Sequence, residues 1–227
     1  MVYNDHVVIG RNVYMYSNLF NEIDDNKKSK IINVSIVEFA QFGFANSSTN
    51  RIVKEAGISK GSLFQYFKNK EDLYFFILDY AIEKLVSDLE VRSKNLSSDL
   101  FERIVDYSKL EFEWYIENPN AYKVIVNAFT KKNTDISRKV EAKYSNTGES
   151  IYHKLIEETY MKELALDKKT IDLIKWFLKG FNAEFIYKVE SQDTIDIEQL
   201  KHKYVEVVTK YLEILRVGIS NYTRGNL

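Results

Sequence analysis

The sequence predicts an all-α fold, and three features of its composition and pattern support that prediction. Only 1 proline and 8 glycines occur among 227 residues, so long stretches are free of helix breakers. Apolar residues recur three and four positions apart through most of these stretches, which is the spacing of a helix that buries one face. Hydrophobic residues make up 45% of the chain, which is ample for a core between such helices.

The first 26 residues give the weakest pattern in the chain. A short β-branched run at Val7, Val8 and Ile9 precedes the polar stretch 21–26. Chain ends of this kind are often loosely packed. We therefore predict that residues 1–24 form a flexible N-terminal extension.

The first helix is expected from about Asp25 to Phe42. Ile32, Ile36 and Phe39 recur there at helical spacing and form its buried stripe. Gly43 ends the helix.

The next segment predicts two short helices joined by a glycine turn. Ser47 is a good N-cap for a helix over about Ser48–Ala56. Gly57 stands where a helix ends in the left-handed region, a conformation that glycine adopts without the steric cost of a Cβ. Ser59 can then cap a second helix over about Lys60–Phe67. This arrangement is a helix-turn-helix, which predicts binding to duplex DNA.

The outer face of the second short helix is expected to carry Lys60, Gly61, Ser62, Gln65 and Tyr66. A helix presented this way fits the major groove, and Gly61 lets its backbone come close to the DNA. Gln65 can pair with adenine, whereas Lys60 can meet either guanine acceptors or a phosphate. Tyr66 and Lys70 are the better phosphate candidates. We assign the DNA-binding domain to residues 25–73.

Positive charge is concentrated in the same domain. Between residues 27 and 70, eight Lys or Arg residues occur with two Glu residues, which gives a net charge of +6. The whole chain carries −1, so the remainder is acidic. A basic segment on an acidic protein is what phosphate binding needs, whereas evenly mixed charge would indicate only solubility.

A long run of residues in and around the two short helices follows one pattern: Phe39, Ala40, Gly43, Phe44, Ile52, Ala56, Gly57, Ile58, Ser59, Gly61, Leu63, Tyr66, Phe67, Lys70, Glu71 and Leu73. In this run, the segment from about Lys27 to Tyr74 resembles the DNA-binding domain of the TetR family of bacterial transcriptional regulators. The resemblance implies DNA contacts from Ser48 and Thr49, from the helix that begins at Lys60, and from Lys70.

Two positions depart from the family pattern. Phe64 stands where the family usually has a tyrosine, so a phosphate contact through that hydroxyl is absent. Val53 replaces the usual alanine, and the turn must accommodate its larger volume.

Helices are predicted from the DNA-binding domain to the end of the chain. They are expected at about Lys70–Lys94, from Ser97 or Ser98 to Asn118, and at about Pro119–Thr130, Ser137–Met161, Lys168–Val189 and Ile197–Ile219. Pro119 ends the second of these because proline disfavours helical geometry in the residue before it.

The last two helices, at about 168–189 and 197–219, carry more apolar surface than one buried side needs. In the TetR family these helices pair with their copies in a second subunit as a four-helix bundle. The resemblance therefore implies a homodimer that binds a palindromic double-stranded DNA operator.

The resemblance also implies a small-molecule effector of largely apolar character, bound in a helical effector-binding and dimerisation domain over residues 74–227. The candidate effector-binding residues are Tyr107, Glu111, Trp114, Tyr115, Tyr122, Phe177 and Phe181. Aromatic residues at helical spacing more often form only a core. An alternative is therefore a DNA-binding dimer whose C-terminal domain is an interaction module without an effector. Repression is the family default.

Other classes of protein are disfavoured by what the sequence contains. It has no cysteine for a disulfide or a thiolate site, and no apolar run approaches the length of a membrane span. The N-terminus lacks the pattern of an export signal, so we expect a cytoplasmic protein. His153 and Glu157, four residues apart, could share a metal, but a surface ion pair explains them better. We expect no cofactor, no metal and no catalytic activity.

Overall fold

The computed structural model describes residues 18–130, 134–144, 168–190 and 196–225, and every regular element in these ranges is helical. The prediction of an all-α fold is thus confirmed. The helices are α1 (Asn18–Glu22), α2 (Asp25–Asn46), α3 (Thr49–Ala56), α4 (Lys60–Tyr66), α5 (Lys70–Arg92), α6 (Leu100–Glu117), α7 (Pro119–Thr130), α8 (Asp135–Tyr144), α9 (Lys168–Glu190) and α10 (Ile197–Gly225). No helix in the described ranges is both long and apolar enough to span a membrane.

The helices form two compact units. The first contains α1 to α4, most of α5, and α7 and α8. The second contains the last residues of α5 together with α6, α9 and α10.

The first unit begins earlier than the sequence predicted, because α1 belongs to its core. Phe20 of α1 is buried and packs its ring on Phe67 and Phe76, with centroids 4.9 and 5.2 Å apart. Residues 18–22 of the predicted flexible extension are therefore ordered by aromatic packing. The residues before them lie outside the described part of the chain.

α2 contains a break at Gly43. This residue has φ 64 and ψ −179, which lies outside helical geometry, and one further helical turn follows it to Asn46. The predicted end at Phe42 thus marks the break and not the end of the element. A side chain at this position would strain the backbone, since L residues rarely adopt a positive φ of this size.

α8 is tied to α5 by charged and hydrogen-bonded pairs. Lys139 Nζ lies 2.7 Å from Glu71 on the surface, and Lys143, whose side chain is 5% exposed, pairs with Asp79. The hydroxyl of Tyr144 donates to the other oxygen of Asp79 at 2.6 Å. α8 starts two residues before the predicted Ser137, and the predicted continuation to Met161 lies outside the described residues.

In the second unit, α6 begins at a different cap from the one predicted. Asp99 Oδ1 accepts hydrogen bonds from the backbone N–H groups of Phe101 at 3.0 Å and Glu102 at 3.1 Å. An aspartate accepts strongly at a helix N-terminus. The prediction of Ser97 or Ser98 as the cap is wrong by one or two residues.

The second unit has an aromatic core between α6, α9 and α10. The ring of Phe112 stacks on Tyr204 with centroids 4.2 Å apart and an interplanar angle of 8°. Phe185 meets both rings edge-on, at 5.5 and 5.0 Å. Lys201 of α10 pairs with Glu113 of α6 at 2.7 Å, outside this core.

Candidate DNA-binding site

The turn between α3 and α4 is closed by glycine, as the sequence predicted. Gly57 has φ 71 and ψ 35, in the left-handed region. Its N–H donates to the carbonyl of Lys54 at 3.2 Å, and the N–H of Ile58 donates to that of Val53 at 3.0 Å. These two bonds satisfy carbonyl groups at the end of α3 and fix the direction in which the chain enters α4.

α4 presents three of the predicted contact residues to solvent. Lys60, Gly61 and Gln65 are exposed, whereas Ser62 is half-buried. Ser59 caps the helix by accepting from the N–H of Ser62 at 3.0 Å, and the two serine hydroxyls lie 2.8 Å apart. The Ser62 hydroxyl is therefore engaged in the cap, which leaves Lys60, Gly61 and Gln65 as the exposed members of the predicted set.

Tyr66 does not lie on the outer face where the sequence analysis placed it. Its side chain is buried, 7% exposed, and its ring centroid is 5.6 Å from that of Phe20. The amphipathic pattern of α4 missed this because the covering residue comes from α1, outside the helix-turn-helix. A phosphate contact from Tyr66 therefore has little support from its position.

The start of α3 is held by a buried carboxylate. Ser48, and not Ser47, is the N-cap, so the helix begins at Thr49. The N–H of Ser48 donates to Glu38 Oε1 at 2.6 Å, and Arg51 Nε lies 3.0 Å from both oxygens of Glu38. This hydrogen bond with Glu38 raises the pKa of Arg51. Ser48 and Thr49 are both half-buried.

Glu38 was not among the predicted site residues. A signal was present in the sequence, because this acidic residue stands beside the apolar pair Phe39 and Ala40 in an otherwise basic segment. Buried carboxylates need charged or hydrogen-bonded partners, and such a position predicts one.

Lys70 also has partners within the protein. Its ammonium donates to the backbone carbonyl oxygens of Phe44 at 2.8 Å, Ala45 at 3.4 Å and Ser47 at 3.2 Å. Any phosphate contact from this side chain would compete with those bonds. The exposed lysines of the first unit near the helix-turn-helix are instead Lys27, Lys30, Lys54, Lys60 and Lys68.

The predicted effector-binding residues do not all lie in one compact unit. Tyr122 is buried in the first unit, on α7. The other six lie on α6 and α9 of the second unit: Tyr107, Glu111, Trp114, Tyr115, Phe177 and Phe181. Trp114 and Tyr115 are buried, and the remaining four are partly exposed.

A chain of polar groups runs through the aromatic core of the second unit. The Tyr204 hydroxyl donates to Asn182 Oδ1 at 2.7 Å, and Asn182 Nδ2 donates to Glu111 Oε2 at 3.3 Å. Burial, with a smaller contribution from Glu111, raises the pKa of Tyr107. Asn182 was not among the predicted site residues, although an amide between Phe181 and Phe185 was a usable signal.

A cavity of about 80 Å³ lies in the first unit beside the break in α2. Phe39, Tyr74, Val124 and Asn127 are among its lining residues. Sites for drug-sized ligands typically measure about 300–1,000 Å³, so this cavity is too small for such a ligand. None of the predicted effector-binding residues lines it.

The metal alternative falls outside the described structure, because His153 and Glu157 both lie in 145–167. Within the described ranges, no group of three or more His, Cys, Asp or Glu residues is placed to hold a metal ion.

The all-helical fold and the glycine-closed pair α3 and α4 define a helix-turn-helix protein. Residues 31–75 match the family model described as bacterial regulatory proteins, tetR family. This segment is therefore similar to the tetR family of bacterial regulatory proteins.

Two similar proteins are described as HTH-type transcriptional regulators. The chain is 38% identical over 76 residues to the uncharacterized regulator YerO of Bacillus subtilis, a match that spans 34% of this chain but only 25% of YerO. It is 24% identical over 204 residues to the regulator QacR of Staphylococcus aureus, covering 86% of this chain and 99% of QacR. A TetR family regulator from Chloroflexus aurantiacus shares the fold, with a TM-score of 0.66, 22% identity and coverage of 90% and 98%.

Proposed function

We propose that this chain is a dimeric, cytoplasmic transcriptional repressor that binds a palindromic operator and is released by a small, largely apolar effector. The observation that carries the proposal is the outer face of α4, where Lys60, Gly61 and Gln65 are exposed beside the glycine-closed turn. A helix held in this way can enter the major groove with its N-terminal residues toward the base edges. Lys60 would meet guanine or a phosphate, and Gln65 would pair with adenine.

The start of α3 supplies the second part of the proposed interface. Ser48 and Thr49 stand at the N-terminal end of that helix, where backbone N–H groups and the helix dipole favour an anion. Lys54 and Lys68 are exposed and add positive charge. We leave Tyr66 and Lys70 out of the direct contacts, because the first is buried and the second is bonded to three carbonyls.

Dimerisation is proposed through α9 and α10. Both helices bury one apolar side within the second unit and expose another, including Trp176, which is 71% exposed, and Ile214, which is 67% exposed. Gly180 and Gly218 lie in the same two helices, and a Cβ added at either would meet no atom within 4 Å. Large exposed apolar side chains on a helix pair favour a second copy as the covering partner.

The effector is proposed to bind in the second unit, among the aromatic residues of α6 and α9. Aromatic rings there would contact a largely apolar molecule, and Glu111 with Asn182 would form hydrogen bonds with a polar group at one end of it. The effector would release DNA by binding better to a conformation in which the two copies of α4 no longer match successive major grooves. Linkage then requires that operator DNA weaken effector binding by the same factor.

The first experiment measures binding of the purified protein to DNA from upstream of its own gene, by fluorescence anisotropy at several salt concentrations. The double variant Lys60→Ala and Gln65→Ala should lose sequence preference. A matched variant, Lys94→Ala and Asn95→Ala, removes two exposed side chains between α5 and α6 and should bind normally. Equal binding to operator and random DNA by the unmodified protein, across several upstream regions, would refute the proposal.

The effector is tested with the same assay. Dodecanoate and indole represent the aliphatic and aromatic members of the proposed class, and either would be added to the preformed complex. An effector that dissociates the complex should bind the free protein more tightly than the DNA-bound protein, which calorimetry can measure. Equal affinity for both forms would exclude the mechanism of release.

A further inference from the structure

The end of α2 carries an unusual set of bonds to a lysine from another helix. The last carbonyl groups of a helix have no partner within it and form the negative end of its dipole. Here the Lys70 ammonium donates hydrogen bonds to the backbone carbonyls of Phe44 and Ala45, and to the carbonyl of Ser47 just after the helix. A lysine ammonium has three N–H donors, so all three are used.

The remaining carbonyl of residues 44–47, that of Asn46, accepts a hydrogen bond from a second cation. Arg51 Nη2 donates to the carbonyl of Asn46 at 2.9 Å, while the same guanidinium binds Glu38. The four consecutive carbonyls from residue 44 to residue 47 therefore all accept from cations of α3 or α5. Two of the eight positive charges of the DNA-binding domain are used in this way.

The surroundings of Lys70 hold its side chain in place. The ammonium lies 4.6 Å from the centroid of the Phe44 ring, so a cation–π contact adds to the hydrogen bonds. The neighbouring carboxylate of Glu71 does not compete for it, since Glu71 pairs with Lys139 at 2.7 Å.

We propose that Lys70 is a positioning residue for DNA recognition and not a phosphate contact. It fixes the end of α2 against the start of α5, and the next residue after its last carbonyl partner is Ser48, the N-cap of α3. Loss of this bond set would let the start of α3 move, and the outer face of α4 with it. The inference rests on the proposed DNA-binding function.

The substitution Lys70→Arg distinguishes a positioning role for this residue from a phosphate contact. A guanidinium keeps the charge and binds phosphate well, but its planar donors cannot converge on three carbonyls as an ammonium does. Lys70→Arg should therefore weaken operator binding by roughly tenfold or more, as expected for lost charge-assisted hydrogen bonds, and lower Tm. Lys94→Arg, at an exposed position outside the DNA-binding domain, is the matched control and should retain affinity and Tm.

The salt dependence of operator binding gives an independent measure of whether Lys70 contacts a phosphate. Removing a lysine that contacts phosphate lowers the slope of log K against log salt by about 1. Lys60→Gln should show that loss if Lys60 contacts a phosphate, whereas Lys70→Gln should weaken binding with the slope unchanged. Wild-type affinity and Tm in Lys70→Arg, or a slope reduced by about 1 with normal Tm in Lys70→Gln, would overturn the proposal.

The unmodified protein provides a test that does not depend on the folding of a variant. Lysine ammonium ¹⁵N NMR should show slowly exchanging Lys70 protons in the free protein and the same signal after operator is added. A rapidly exchanging Lys70 ammonium, or a shift on DNA binding, would contradict the inference. If the protein bound no operator at all, the proposed function would fail, whereas the exchange and the Tm comparison would still decide whether Lys70 holds α2.

Discussion

Replacement of Gly61 by alanine should raise stability and weaken DNA binding at the same time. Gly61 lies in the first turn of α4, and the nearest atom to an added Cβ would be Ser59 Oγ at 3.7 Å, an ordinary contact. Glycine inside a helix is about 0.8–1 kcal/mol less favourable than alanine. We expect a gain of up to about 1 kcal/mol at this position, or roughly 2–4 °C in Tm for a domain of 150–250 residues.

The added methyl group would point from the exposed face of α4 toward the DNA. We expect affinity for the operator to fall about tenfold, which corresponds to about 1.4 kcal/mol. Thermal unfolding by circular dichroism and fluorescence anisotropy would measure the two effects on one sample.

Gly57→Ala is the matched control for Gly61→Ala. Gly57 has φ 71, and an L residue in the left-handed region costs about 1–2 kcal/mol, so this variant should melt earlier. The two alanines therefore move Tm in opposite directions. Wild-type operator affinity in Gly61→Ala, together with a raised Tm, would show that the backbone of α4 does not approach DNA there, and the proposed docking would be wrong.

Three further predictions concern assembly, the core of the second unit and pH. Trp176→Glu should convert a dimer into a monomer in sedimentation, because the substitution places a charge on the proposed interface; a dimer of unchanged affinity would exclude that face. Tyr204→Phe leaves Asn182 Oδ1 without its donor, so stability to urea should fall by about 1–3 kcal/mol, and an unchanged midpoint would mean that the bond contributes nothing. Burial raises the pKa of Tyr74 to about 12, against about 10 in the unfolded chain. The folded protein therefore keeps this proton while the unfolded chain loses it, and stability present below about pH 10 is lost as the pH rises toward about 12, by on the order of 2–3 kcal/mol. Urea unfolding at pH 9 and 11 should show a smaller loss in Tyr74→Phe, and equal losses would refute the assignment.

The parts of the site that depend on local chemistry were predictable from the sequence. Gly57 and Ser59 have strong backbone and capping preferences of their own, so the turn and the start of α4 follow from neighbours within a few residues. Pro119 set the start of α7 for the same reason. The exposure of Lys60 and Gln65 followed from the helical period alone.

The parts that depend on distant residues were not predictable in this way. Tyr66 is buried by Phe20, 46 positions earlier, and no period within α4 contains that information. Lys70 looked like a free cation at a helix start, but its partners are backbone carbonyls 23 to 26 positions away. Carbonyl groups exist at every residue, so the sequence gives no indication of which ones lie unpaired beside a given lysine.

The short helix α1 determines the smallest fragment of this protein that could be expected to fold as a DNA-binding module. A fragment starting at Asp25, where the helix-turn-helix domain was predicted to begin, would lack Phe20 and would leave the rings of Tyr66, Phe67 and Phe76 facing water. Aggregation of such a fragment would report this exposed aromatic surface. Work on the isolated module therefore needs a starting point before Asn18.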